Sequence, residues 1–224
     1  MDLVKEKKII FWSINIGLIA TVAVLAWIFG PSLLVEAKYQ DQVKKQETGK
    51  PTTGFSSLMY AVSGFNDLMD KSGLEGLVST EFRLVIPKIF ANVIVTENVN
   101  PEKSEIYKKA LKEKGGVAHA AGSAVPGEPG VVYIFGHSTD ASFNVDRFNA
   151  VFYLLKKLEK GDVIQAFYYG EEFDYIVTEK KMVDPTDITD ITNVESKEKL
   201  ILQTCWPPGT TWKRLLVIAE PKEV

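Results

Sequence analysis

The sequence predicts a mostly β domain, a mostly antiparallel barrel or sandwich with helical insertions, and three observations carry that reading. From about Phe82 onward the chain breaks into short runs rich in β-branched and aromatic residues, about eight of them, each bounded by turn residues. The helical stretches between these runs are short, which disfavours an alternating α/β design. At 224 residues with 46% hydrophobic and 25% charged content, the chain suffices for one well-buried domain plus an appendage.

The appendage comes first. "IIFWSINIGLIATVAVLAWIF", residues 9–29, contains no charge and is followed by Gly30-Pro31. About 20 apolar residues rising 1.5 Å each cross a hydrocarbon core of ~30 Å. Trp12 and Trp27 lie near its two ends, where amphipathic aromatics favour the interface. Val35 and Ala37 offer small residues at signal-cleavage spacing, but the apolar run exceeds the usual 7–15 residues of a cleaved signal, so it reads as an uncleaved anchor. Lys5, Lys7 and Lys8 before the span nearly balance Lys38, Lys44 and Lys45 after it. The closer set weakly favours an internal N-terminus. The expected organisation is a cytoplasmic tail (1–8), a transmembrane anchor (9–29), a stalk (30–80) and a folded domain (81–224). Within the stalk, Phe55, Leu58, Met59, Val62, Phe65, Leu68 and Met69 recur at helical spacing and predict an amphipathic helix that packs on its own domain.

In the folded domain, "FRLVIPKIFANVIV" reads as two extended segments divided near Pro87, and "SEIYKKALKEKGG" as a short helix stopped by Gly115-Gly116. "GVVYIFGH" is a strand, and "VDRFNAVFYLLKKLEKGD" a helix ended by Gly161. "DVIQAFYYG" and "EEFDYIVTEKKMV" form a hairpin turning at Gly170-Glu171, and "KLILQTC" and "WKRLLVIAE" are the closing strands.

Composition narrows the chemistry. A net charge of −3 without a compact basic stripe gives no support for nucleic-acid binding. One cysteine excludes an intrachain disulfide, and two histidines with that cysteine assemble no zinc-ligand spacing. Cys205 therefore serves packing or reactivity. It ends a β run before "WPPG", whose prolines stop the ladder and leave the thiol near a rim. His137 also ends a β run, and a six-residue loop (206–211) lets the strand bearing Arg214 fold back beside Cys205. A neighbouring cation favours thiolate, an imidazole protonates a departing amine, and a guanidinium fork suits an oxyanion or substrate carbonyls. Cys205, His137 and Arg214 together are an acyl-transfer set; individually each is as readily a packed thiol, a structural histidine or a surface arginine.

"TCWPPGTTWKRLLV" resembles the active-site signature of the sortase family, with Thr-Cys ending a strand and Arg in the next. "GVVYIFGHS" resembles the strand that delivers the sortase histidine. "RLVIPKI", "GVAHAAGSAVPGEPG" and the helix around Tyr107–Leu111 also look like sortase sequence, in the right order over roughly residues 82–220. The resemblance implies an eight-stranded barrel and a membrane-anchored cysteine transpeptidase. Such an enzyme cleaves an LPxTG-like motif near the C-terminus of a client protein and transfers the client to an amine of a cell-wall precursor or a pilin. Cys205 would be the nucleophile, His137 the acid and base, and Arg214 the oxyanion and carbonyl ligand. It also implies that the folded domain faces outward, with membrane attachment through residues 9–29.

His119 matches a second histidine of the pattern and is expected to be structural. Thr204 reads first as a β-branched strand residue and stands with Trp206 as a candidate substrate contact. No Asp-Pro-aromatic lid tripeptide occurs in residues 31–80, and no apolar segment follows "AEPKEV", which favours an anchoring-type enzyme over a pilin-polymerising one. No cofactor is expected. The acidic "EKKMVDPTDITDITNVES" reads as a solvated loop, not a calcium cage. Two further alternatives are a cysteine peptidase transferring to water and a non-catalytic surface-binding barrel.

Overall fold

The computed structural model describes residues 3–48, 81–112, 116–138, 151–192 and 197–223. Among these, α1 (Leu3–Thr48) precedes β1 (Arg83–Ile86), β2 (Ala91–Val99), α2 (Ser104–Lys112), β3 (Val117–Ala120) and β4 (Val131–Gly136). There follow β5 (Val163–Tyr168), β6 (Glu171–Val183), α3 (Thr189–Thr192), β7 (Lys199–Trp206) and β8 (Lys213–Pro221). The strands close a barrel in the order β1-β2-β3-β4-β7-β8-β6-β5. Pairing is antiparallel except between β2 and β3 and between β4 and β7, so the barrel is mixed.

Both faces of the central strands are apolar, which is why they read as continuous runs. On β7, Leu200 and Leu202 point into the barrel, whereas Ile201 joins a second cluster outside it with Leu111 of α2, Tyr133 and Phe135 of β4, and Leu216 and Ile218 of β8. This period-two alternation fixes which side chains reach the outer wall. Val132 and Ile134 of β4 and Leu215 and Val217 of β8 face inward.

The expected segments on either side of Pro87 are β1 and β2, separated by a 3₁₀ turn at Pro87–Ile89. The β5–β6 hairpin turns through Tyr169 and Gly170, one residue earlier than expected because Glu171 already pairs with Tyr168, and both are at positive φ (49° and 86°), as a two-residue primed turn requires. Two further expectations change. The described part of the helix expected before Gly161 is a 3₁₀ helix, Val151–Lys157, with Phe152, Tyr153, Leu154 and Leu155 all buried; four consecutive apolar residues are swallowed by the core without presenting a helical stripe. The four-residue β3 escapes sequence reading because "VAHA" is too short and too poor in β-branched residues to signal a strand.

The N-terminal segment gives one helix long and apolar enough to cross a membrane, with the window Ile10–Trp27 at mean hydropathy 1.9 and none of it buried. The helix continues through Gly30-Pro31 to Thr48, so the first part of the expected stalk is helical. Its far end lies on the barrel. Tyr39 is buried with its ring edge-on to Phe90 at 6.1 Å, Val35 and Val43 pack beside it, and Glu36 pairs with Lys157 and, at 3.8 Å, with Lys156. Val35 stands about 12 Å along the helix beyond Trp27. The amphipathic helix expected over 55–69 lies outside the described residues.

Candidate active site

Cys205 follows Ile201 at even spacing along β7, so the alternation turns its thiol to the outer wall. Arg214 is its cross-strand partner on β8, in register Cys205↔Arg214. Directly opposed residues on one face bring their Cβ atoms within about 5.5 Å. On the other side, β4 runs parallel to β7 with Phe135 level with Gln203; continuing that register by two residues sets His137 level with Cys205. All three line one open groove of about 1300 Å³ on the outside of the barrel. Each is half-buried, reachable by a ligand yet partly shielded from bulk water.

Local structure holds the three in place. The Arg214 guanidinium donates from Nη1 to Thr211 O (3.1 Å) and Lys213 O (3.2 Å), which turns it back over the β7–β8 loop. Thr204, one residue from the thiol, is buried and donates from Oγ1 to Gly136 O at 3.0 Å. That bond joins the residue before the cysteine to the residue before the histidine. Gly136 itself has no room for a side chain: a Cβ there would lie 2.9 Å from Gly116 O and 2.9 Å from Phe152 Cδ2. The glycine of "FGH" therefore lets β4 lie close against the start of β3.

The groove walls come from three loops. Between β3 and β4, the segment 121–130 is gathered over His119, which is 4% exposed. His119 Nε2 lies 2.8 Å from Ala124 O; a carbonyl only accepts, so this nitrogen carries the proton. Ser123 Oγ sits 2.8 Å from the same nitrogen and donates to Ala120 O. Burial lowers the His119 pKa below its ordinary 6.5, opposed by the Ala124 carbonyl and the Glu97 charge. Gly127 N donates to Glu198 Oε1 at 2.9 Å, and the same carboxylate receives the hydroxyl of buried Tyr175. Burial, then Glu198, pushes that phenol far above its usual range.

The second wall is the segment between β6 and β7, which contributes Ile188 and Ile191 to the groove. It is pinned by Lys181 to Asp190 at 2.7 Å, the hydrogen bond that chiefly raises the Lys181 pKa. Asp187 accepts from Thr189, which lowers its carboxyl pKa. The third wall, Gly209–Thr211, belongs to the β7–β8 loop. Among the described residues no group of three or more His, Cys, Asp or Glu side chains converges as a metal cage would.

The sequence candidates divide accordingly. Cys205, His137 and Arg214 share the groove. Thr204 borders it, but its hydroxyl is committed to Gly136. Trp206 has the opposite parity to Cys205 and packs against the barrel-core cluster. Sequence reasoning missed the groove-facing Ile188 and Ile191, taking the stretch for a solvated loop; two isoleucines three apart in a polar segment were the available signal. It also missed Glu198, which no local pattern distinguishes.

Comparison with known proteins bears on the family and the fold. A profile of the sortase domain matches residues 84–222. Sortase D of Bacillus subtilis (strain 168) is 30% identical over 180 residues, covering 79% of this chain and 69% of the relative. Sortase C-1 from Actinomyces oris superposes with a TM-score of 0.54 at 25% identity, covering 79% of this chain and 84% of that one. Sortase A from Corynebacterium diphtheriae gives 0.53 at 22% identity over 86% and 94% of the two chains, a likeness of fold.

Proposed function

Since the chain belongs to the sortase family, a family of cysteine transpeptidases, we propose that it cleaves an LPxTG-like sorting motif and transfers the client protein to an amine of the cell envelope. Cys205 attacks the carbonyl of the residue before the scissile bond, and the Arg214 fork receives the developing oxyanion. His137 gives a proton to the departing amine as the C–N bond breaks, leaving a thioacyl enzyme. An acceptor amine then attacks the thioester, His137 takes its proton, and the thiolate leaves. The acceptor is an amine of a cell-wall precursor or a pilin lysine. Residues 9–29 hold the enzyme in the membrane, with the N-terminus inside and the barrel outside. The observation that carries this reading is the pairing of Cys205 with Arg214 across two strands of the outer wall, with His137 ending the strand on the other side.

The full chain in detergent, incubated with LPxTG-type peptides with and without triglycine, tests it by mass spectrometry of the products. The wild type should form a thioacyl adduct that triglycine converts to a ligated peptide, and Cys205→Ala should form neither. Adduct resolved only by water would favour the peptidase alternative. A folded enzyme that neither cleaves nor acylates across a varied peptide panel would overturn the reading in favour of a binding barrel.

A further inference from the structure

Among the described residues, one polar side chain on the groove floor beside the thiol makes no hydrogen bond within the protein. Besides the buried Tyr133, four neutral polar side chains that line the groove are buried or half-buried: Ser123, Gln203, Thr204 and Thr210. Three of them donate their hydroxyls to main-chain carbonyls, Ser123 to Ala120 (2.9 Å), Thr204 to Gly136 (3.0 Å) and Thr210 to Pro207 (2.8 Å). The side-chain amide of Gln203 alone has no such partner among the described residues. Its surroundings make this unusual: Phe135 is level with it on β4 and Leu216 opposes it on β8, both buried apolar residues.

Position gives the amide a task. Gln203 lies two residues from Cys205 on the same face, about 6.8 Å along the strand, which is one dipeptide repeat of an extended peptide. The groove extends from Cys205 in that direction, along β4 as far as Val131 and Gly130. In the other direction β7 ends at Trp206. An acyl-side segment of substrate laid along β7 in that direction passes over Gln203, whereas the opposite end of the groove is walled by the Gly209–Thr211 loop. A bound peptide strips water from the amide, and a half-buried donor left unpaired is costly.

Resting on the transpeptidase reading above, we propose that Gln203 is a substrate-recognition residue, its side-chain N–H donating to the main-chain carbonyl two residues before the scissile one. The contact exists in both the ground and the transition state, so its loss raises KM more than it lowers kcat.

The test pairs the full-length enzyme and its Gln203→Leu variant with two peptides: a cleaved motif peptide, and the same peptide with that one carbonyl reduced to methylene. In the wild type the reduced peptide should lose roughly five- to thirty-fold in kcat/KM. Gln203→Leu should lose a similar factor with the normal peptide and little more with the reduced one, since either change removes the same bond. Gln203→Glu, which keeps shape but turns donors into acceptors, should be at least as impaired as Gln203→Leu. Peptide affinity measured in a Cys205→Ala background should follow the same pattern without any turnover. Fully additive losses, or greater sensitivity to a carbonyl on the leaving side, would overturn the inference while leaving the transpeptidase reading intact. A wild type that cleaves no peptide, with the Cys205→Ala chain binding none, would sink the reading and the inference with it.

Discussion

Two histidines lie on adjacent, antiparallel strands of the same wall and have opposite fates. His119 is in the middle of β3, sealed under a loop by Ala124 O and Ser123 and flanked by the Phe82 ring at 5.7 Å. His137 lies one residue beyond the end of β4, half-buried in the groove, level with the cysteine strand. An imidazole in a closed pocket holds a loop in shape, whereas one at an open strand end is accessible to a ligand in the groove. The difference is set by the face each occupies and by loop cover, not by residue type: His119 is level with inward-facing Ile134, whereas His137 has the outward parity of Phe135.

The largest effect expected from breaking this comparison is on activity. His137→Asn should lower kcat by roughly 10²–10⁴ with little change in thermal midpoint, because it removes the proposed proton carrier from a site that contributes little packing. His119→Asn should do the reverse, costing about 1–3 kcal/mol of stability while folded enzyme retains most of its kcat. Kinetics and thermal unfolding of both variants decide the matter. Comparable kcat losses in the two would remove the distinction.

A smaller effect is expected at the link between the catalytic strands. Thr204→Val keeps the shape of the side chain but leaves the Gly136 carbonyl without its donor. It should cost about 1 kcal/mol by denaturant unfolding. A drop in kcat larger than the drop in stability implies would identify Thr204 as a positioning residue for Cys205 and His137.

The smallest effect is a pH dependence of stability. His119 binds its proton less readily folded than unfolded because burial disfavours the charged form. Above the unfolded value of 6.5 both states are neutral there, so its stabilising environment is fully expressed. As pH falls below that value the unfolded chain takes up the proton first, and stability declines until the lower folded value is passed. Chemical unfolding at about pH 7.5 and about pH 5 should show this loss in wild type and a smaller one in His119→Asn. An identical decline in both proteins would assign the acid sensitivity to other groups.

The same contrast of local and distant causes explains what could be read in advance. The strands that carry Cys205, His137 and Arg214 are long, apolar and punctuated by prolines or glycines, so their existence and ends were legible locally. The β3 strand was not, since its four residues are held by pairing to β2 and β4 and not by their own propensity. The stalk shows a related limit. Its polar composition around Glu36 and Gln40 suggests a linker, but Tyr39, Val35 and Val43 recur every four residues and find the barrel. Burial of one aromatic and an ion pair to Lys157 extend a helix through Gly30-Pro31 that propensity would have stopped.

By itself the sequence determined an apolar span of membrane length, a strand-rich domain and three candidate residues whose side-chain types suit acyl transfer, because length, periodicity and side-chain chemistry are local properties. Only the tertiary structure decided that Cys205 and Arg214 are cross-strand partners, that the parallel β4–β7 pairing brings the histidine strand alongside, and that Gln203 shares their face. Register is a relation between strands far apart in the chain, and closing the barrel is what selects it.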